Sequence, residues 1–284
     1  MNFFVLHPWN ASYCATGALT AREEKMSKGK ITLIGGGPGD PELITVAGYK
    51  ALVAADVVLA DRLGPVALLD ELRPEVKTID VGKAPGCHAK TQDEINDLLV
   101  KYASQGLDVV RLKGGDPFVL GRGGEELIFA AEHGIAARVI PGITSSISVP
   151  AAAGIPVTHR GVASGFTVIS GHEDLSDVPL RADHTLVVLM GVSNLPQIVE
   201  TLLTRGLPFS TPIGIVERGY SQTQRTTIGT LEEIVVRARK AAVANPAVIV
   251  IGDVVRLAPE ALTQLVELQP LESVDVTASV SFAD

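Results

Sequence analysis

Val110-Arg111-Leu112-Lys113-Gly114-Gly115-Asp116-Pro117-Phe118-Val119-Leu120-Gly121-Arg122-Gly123-Gly124-Glu125-Glu126 is the stretch on which the reading of this chain turns. The apolar run from Asp108 to Lys113 predicts a strand that enters a glycine-rich loop, with a helix from Glu125 to His133 behind it. Gly114 and Gly115 permit positive φ and leave the main chain bare to an approaching ligand. Pro117 fixes the turn after Asp116. One strand end therefore presents peptide groups, the Asp116 carboxylate and the Arg122 guanidinium on one loop. In open α/β sheets, ligands sit outside the carboxyl ends of the strands. Five glycines within about ten residues exceed what a tight turn with solvated charges requires.

Outward from that loop, strands and helices alternate. Strands are expected at Ile31 to Gly35, Val57 to Ala60, Lys77 to Val81 and Ala137 to Ile140. Asp40 reads as an N-cap, with Pro41 at the first helical position and a helix running through Leu43, Val46, Ala47, Lys50 and Leu52. Thr91-Gln92-Asp93-Glu94 is a capping box opening a helix through Ile95, Leu98, Leu99 and Tyr102. This alternation predicts a parallel, doubly wound domain. Ile155 to Gly165 breaks the pattern and marks a boundary. Beyond it, strands at Phe166 to Ser170, Thr185 to Met190, Pro212 to Glu217 and Ala247 to Ile251 are expected. A hairpin-like strand at Thr223 to Ile228 and helices at Leu195 to Arg205 and Leu231 to Val243 complete a second α/β domain with a mixed sheet. The expected division is an extension over 1–29, domains over 30–160 and 161–262, and a tail over 263–284. Met26-Ser27-Lys28 directly precedes the first strand, so Met26 is a candidate start.

Composition narrows the function classes. The chain has 284 residues, 46% apolar and 20% charged, which describes a globular protein. Its net charge of −8 disfavours a nucleic-acid partner. Cys14 and Cys87 are the only cysteines, which argues against a zinc site or disulfide framework and fits a reducing cytoplasm. No apolar run approaches about 18 residues, so no membrane span is expected. His88, His133, His159, His172 and His184 lack ligand spacing, and no metal is expected. Gly35-Gly36-Gly37-Pro38-Gly39-Asp40-Pro41-Glu42 is not a dinucleotide fingerprint. Asp40 or Glu42 falls where the last glycine belongs, and Pro38 lacks an N–H that a pyrophosphate would use.

The segments Gly35 to Glu42, Arg111 to Glu126, Val139 to Ser146 and Gly154 to Arg160, in this order and spacing, resemble the tetrapyrrole methylases that use S-adenosylmethionine. The likeness runs from about Lys30 to Ala258. It implies two α/β domains with the cofactor in the cleft between them, a homodimer, and transfer of two methyl groups to uroporphyrinogen III at C2 and C7, giving precorrin-2. The resemblance places cofactor contacts at Pro38, Gly114, Gly115, Asp116, Val119, Thr144, Ser145, Met190 and Gly219. It places a proton acceptor and donor at Asp61 and Lys83, and tetrapyrrole contacts at Arg122, Glu125, Arg160 and again Met190. Ala60, Leu120, Ser146 and Leu189 depart from the family's usual residues and bear on the shape of the pocket.

Other readings stay open at this point. Asp61 is equally a loop carboxylate paired with Arg62, Lys83 a steering charge for substrate carboxylates, and Arg122 a partner of Glu125. Met190 at a strand end is, on sequence alone, more often core than contact. A methyltransferase of the same fold acting on a later corrin intermediate is the competing activity. A non-catalytic cofactor- or tetrapyrrole-binding module is disfavoured by intact Asp61, Lys83 and Arg122.

Overall fold

The computed structural model describes residues 28–82 and 90–259. Lys83, both cysteines, His88, the expected extension up to residue 27 and the tail over 263–284 lie outside the described residues.

The first sheet contains β1 (Lys30–Gly35), β2 (Val57–Ala60), β3 (Lys77–Asp80), β4 (Val109–Lys113) and β5 (Ala136–Ile140), in the order β3-β2-β4-β1-β5. Every pairing is parallel, with Leu33 opposite both Arg111 and Val139. The central strands are buried on both faces, which explains their near-continuous apolar sequences. Ile31, Leu33, Val57 and Leu59 pack under α2 (Gln92–Ser104) and α3 (Gly123–Glu132) through Ile95, Leu99 and Ala130. Ile34, Val58, Ala60 and Leu112 pack on the opposite face against Leu52 of α1 (Val46–Val53). Fully burying one such leucine is worth about 1.5–3 kcal/mol. The loops after β1 and β4, neighbours in the sheet, therefore lead to helices on opposite faces, the arrangement that in open α/β sheets marks the switch point.

The second sheet contains β6 (Gly165–Ser170), β7 (His184–Leu189), β8 (Pro212–Glu217), β9 (Arg225–Thr230) and β10 (Ala247–Ile251), in the order β6-β7-β10-β8-β9. Only β6 and β7 run parallel; the other pairs are antiparallel, so the sheet is mixed as expected. One face holds Ile198 and Leu202 of α5 (Leu195–Thr204) and Ile234 of α6 (Ile234–Lys240). The other face receives Val149 and Ala153, from the helix α4 (Ser145–Ala152) and its C-cap. That helix is the bridge of the molecule. It begins at the loop after β5 in the first sheet and packs its body on the second.

Several element ends differ from the sequence expectation. Asp40 caps only a 3₁₀ turn at Pro41–Leu43, and Ile44 is extended. Thr45 then caps α1 afresh, its hydroxyl accepting from the Gly48 amide at 3.1 Å. Leu231 and Glu232 donate their amides to Thr211 and Phe209 carbonyls, which delays α6 to Ile234, and Ala242 at φ 48° ends it early. The capping box of α2 is present, with the Thr91 amide donating to Glu94 at 2.6 Å and the Glu94 amide to Thr91 at 3.2 Å. The helix α4 was not anticipated, since its sequence SSISVPAA contains Pro150 and shows no amphipathic period.

Three glycines carry the convergence of the first sheet's loops. A Cβ on Gly35 would lie 2.6 Å from Gly142 Cα and 2.7 Å from the Gly115 carbonyl oxygen, and one on Gly142 would lie 2.5 Å from the Gly35 carbonyl. Gly124, exposed in the first turn of α3, has open space around its Cα. Gly142→Ala is expected to cost about 1–3 kcal/mol or more by overpacking rigid backbone. Gly124→Ala should instead be neutral or stabilising by up to about 1 kcal/mol. Urea unfolding of the two variants checks the contrast.

Candidate active site

Four loops at the carboxyl ends of parallel strands meet beyond the ends of β1 and β4. Gly37 and Gly115 form a two-way backbone bridge, the Gly115 amide donating to Gly37 O at 2.7 Å and the Gly37 amide to Gly115 O at 3.2 Å. Asp116 ties this pair to the loop after β5. Its Oδ2 accepts from the Gly142 amide at 3.0 Å, while Oδ1 accepts from Phe118 at 2.8 Å and closes the local turn. The loop after β2 joins through Asp61, whose Oδ1 accepts from the Gly114 amide at 3.2 Å and the Leu63 amide at 3.1 Å. Gly114 is packed closely, a Cβ there falling 2.6 Å from Leu63 Cβ. Gly115 differs: at φ 65° its Cα faces the start of α4, with Ser145 N 3.6 Å from a Cβ position. A side chain here would project against the backbone of the α4 N-terminus.

Thr144 is the N-cap of α4; its hydroxyl lies 3.1 Å from Ser146 Oγ, and its carbonyl accepts from Ser148 at 2.9 Å. The structure thus gathers Pro38, Gly114, Gly115, Asp116, Val119, Thr144 and Ser145 on adjoining loops. Gly219 follows β8 and packs on Val149 of α4, 2.9 Å separating a Cβ there from Val149 Cγ1. Met190 follows β7 at φ 56° and is 43% exposed. Arg160 is exposed in the turn after α4.

Asp61 does not pair with Arg62. Arg62 turns to Asp80, with both Nε and Nη2 at 3.1 Å from Oδ2. Asp61 Oδ2 instead faces Arg111 Nη2 at 3.4 Å. The alternative for Arg122 is realised: it grips Glu125 through two bonds of 2.9 and 2.6 Å, both side chains more than half exposed. That bond holds the Glu125 carboxyl below its usual pKa and raises the Arg122 guanidinium above its own. Arg122 is also the N-cap of α3, in a left-handed conformation at φ 58°, so the helix starts at Gly123 rather than Glu125.

Beneath these loops lies a charge cluster that the sequence reading did not single out. Glu126, with its side chain fully buried, accepts through Oε1 from Lys113 at 3.0 Å, Gln92 at 3.2 Å and Arg111 Nε at 3.3 Å. Its Oε2 is buried without a donor among the described residues. Burial, then the Arg111 charge, push the Lys113 ammonium below its ordinary pKa, against the pull of Glu126. The signal was available: Arg111 and Lys113 are two apart in an apolar strand and so share one face. A second buried carboxylate, Glu217 at the end of β8, accepts from Arg225 at 2.6 Å and the Ala244 amide at 3.0 Å. Among the described residues no three histidine, cysteine, aspartate or glutamate side chains gather as a metal site. No helix among them is long and apolar enough to cross a membrane.

This architecture is that of a known class. The family model of the tetrapyrrole (corrin/porphyrin) methylases matches residues 30–235, and the chain belongs to that family. Among curated relatives, it is 50% identical over 239 residues to the uroporphyrinogen-III C-methyltransferase of Methanocaldococcus jannaschii, covering 81% of this chain and 98% of the relative. It is 46% identical over 237 residues to the S-adenosyl-L-methionine-dependent uroporphyrinogen III methyltransferase of Methanosarcina barkeri, covering 81% and 93%. Among solved structures, uroporphyrin-III C-methyl transferase from Thermus thermophilus complexed with S-adenyl homocysteine superposes with a TM-score of 0.69 at 41% identity, covering 81% of this chain and all of that one.

The two kinds of ion pair predict different losses. Glu126→Ala strands two buried cations and should cost about 3–5 kcal/mol in denaturant unfolding. Arg62→Ala removes a half-exposed pair and should cost no more than about 1 kcal/mol.

Proposed function

We propose that this chain is an S-adenosylmethionine-dependent C-methyltransferase that adds two methyl groups to uroporphyrinogen III, at C2 and C7, giving precorrin-2. The observation that carries the proposal is the bare main chain of Gly115 beside the α4 N-terminus, at φ 65° and 3.6 Å from Ser145 N at its Cβ position, in a chain 50% identical over 239 residues to a relative named for this reaction. Bound there, S-adenosylmethionine supplies a methyl group on a cationic sulfur. Pro38, Gly114, Gly115, Asp116, Val119, Thr144 and Ser145 hold it from the first sheet, and Met190 and Gly219 from the second. The proposed division into units over 30–160 and 161–262 puts the cleft between those two sets. The donor set fits: backbone amides and carbonyls, hydroxyls and one carboxylate suit an amino acid, a ribose and an adenine.

A pyrrole carbon is already electron-rich, so the chain's first task is alignment and exclusion of water. Orientation of this kind contributes up to about 7–11 kcal/mol. After methyl transfer the ring carbon must lose a proton, and a placed base accelerates that step by about 10²–10⁴. Asp61 Oδ1 is engaged by two amides, which leaves Oδ2 as the accepting atom. Lys83 is proposed as the donor. Arg122, Glu125, Arg160 and Met190 are proposed to hold the tetrapyrrole. Arg122 then exchanges Glu125 for a substrate carboxylate, using the same planar fork. The reading includes a homodimer working in the cytoplasm.

Anaerobic incubation with uroporphyrinogen III and methyl-labelled cofactor tests the proposal: two labelled methyls per product support it, and none, or transfer only to a later corrin, refutes it. In the same assay Asp61→Asn should lower turnover by about 10²-fold or more, with cofactor affinity nearly unchanged. A rate within about threefold of wild type would reduce Asp61 to a loop carboxylate. Arg122→Lys keeps the charge and loses the fork. It should lower kcat/KM by about ten- to a hundredfold without moving the melting temperature. An early melt with normal turnover in the cold would make Arg122 a structural partner of Glu125 alone.

A further inference from the structure

We propose that Arg111 is a positioning residue for Asp61, and that Glu126 is the buried anion that holds Arg111 in place. The proposal rests on the reading of Asp61 as proton acceptor. The Arg111 side chain is 5% exposed and spends its donors in three directions. Nε donates to Glu126 at 3.3 Å, Nη1 to the carbonyls of Leu112 at 2.8 Å and Leu59 at 3.4 Å, and Nη2 to Asp61 Oδ2 at 3.4 Å. A guanidinium is planar, so fixing Nε and Nη1 fixes where Nη2 points. The two amides on Oδ1 leave rotation of the Asp61 carboxylate about that anchor, and Nη2 sets the remaining oxygen.

The cluster carries two cations, Arg111 and Lys113, and two anions, Glu126 and Asp61, so its charge balances. Three of its side chains are at most 6% exposed; Asp61, at 23%, is where the network reaches solvent. Buried ion clusters contribute little net stability compared with well-packed apolar residues. Their return is geometric, and here the geometry is delivered to the one exposed member.

A double-mutant cycle tests the coupling. Lysine at 111 can still reach Glu126 but cannot span Glu126 and Asp61 with one rigid fork. Arg111→Lys should lower kcat about tenfold while KM for S-adenosylmethionine and binding of S-adenosylhomocysteine stay within about twofold. In an Asp61→Asn background the same replacement should lower kcat by less than about twofold, because there is no acceptor left to position. Equal fold-losses in both backgrounds would overturn the positioning role while leaving Asp61 as acceptor. If Asp61→Asn alone keeps turnover within about threefold, the acceptor reading falls and the positioning role falls with it. Should Arg111→Lys fail to fold, Glu126→Gln in the same two backgrounds takes its place, with the same non-additivity expected and the same equal losses decisive against it.

Discussion

The structure depends on backbone meeting backbone at Gly35, Gly115 and Gly142. These residues stand at or just beyond the ends of β1, β4 and β5, and each occupies the volume where its neighbour's Cβ would be. No side-chain repacking relieves such a contact, because the obstructing atoms are main chain. The approach lets Gly37 and Gly115 exchange hydrogen bonds between the β1 and β4 loops, and lets Asp116 reach the Gly142 amide. From that stitch the chain enters α4, whose other end is buried in the second sheet. One glycine contact thus places the first sheet's loops and the helix that carries the second sheet.

The charges below the loops answer a different demand. A strand end that must present open peptide groups cannot be capped by bulky apolar side chains from above. Its register has to be fixed from beneath, and Lys113, the last residue of β4, is held from there by Glu126 on α3. The same carboxylate takes Gln92 of α2, so a single buried oxygen ties one strand to two helices. This is expensive chemistry for stability alone, since both ions lose their water. It suits a place where a loop must keep one shape while ligands come and go.

The alternation of strands and helices was legible because each buried strand is short, apolar and bounded by turn residues, while the helices carry caps. The parallel order and the mixed second sheet follow from connection lengths. What sequence order misled was pairing. Asp61 and Arg62 are consecutive in the turn that follows β2, where adjacent side chains need not meet. Asp61 turns toward β4 and Arg111, while Arg62 turns toward β3 and Asp80. Adjacency suggested a bond that the turn after β2 does not make, because Asp80 on the neighbouring strand takes Arg62. The glycine-rich loops at the strand ends were legible, yet their division of labour was not. A Cβ on Gly114 would collide with Leu63 at 2.6 Å, whereas one on Gly115 would meet the α4 N-terminus at an ordinary 3.6 Å, a difference that only the folded neighbours create. The helix α4 escaped notice for a related reason. Its burial comes from packing between two sheets, so no polar face marks its period.

Strain is distributed in the same pattern. Leu120 and Arg122 in the β4 loop, and Met190, Arg218 and Tyr220 after β7 and β8, all adopt positive φ. Each such residue costs about 1–2 kcal/mol relative to a relaxed backbone, so each must be over-determined by its surroundings. In the second sheet the bonds that do this are visible. The Tyr220 amide donates to Gln224 at 2.9 Å, Arg218 donates through its amide to Pro246 at 2.9 Å and through Nε to Thr223 at 3.0 Å, and Gln224 reaches the Ala152 carbonyl at 3.0 Å. That last bond fastens the strained loop to the C-terminal end of α4, while Gly219 fits against the middle of the same helix. The helix is therefore held at both ends by loops from carboxyl strand ends, one from each sheet. A displacement of either loop must be transmitted along eight residues of α4 to the other. Rigid coupling of this kind suits the cofactor site proposed above, which requires a carbon, a methyl group and a sulfur to be held in line.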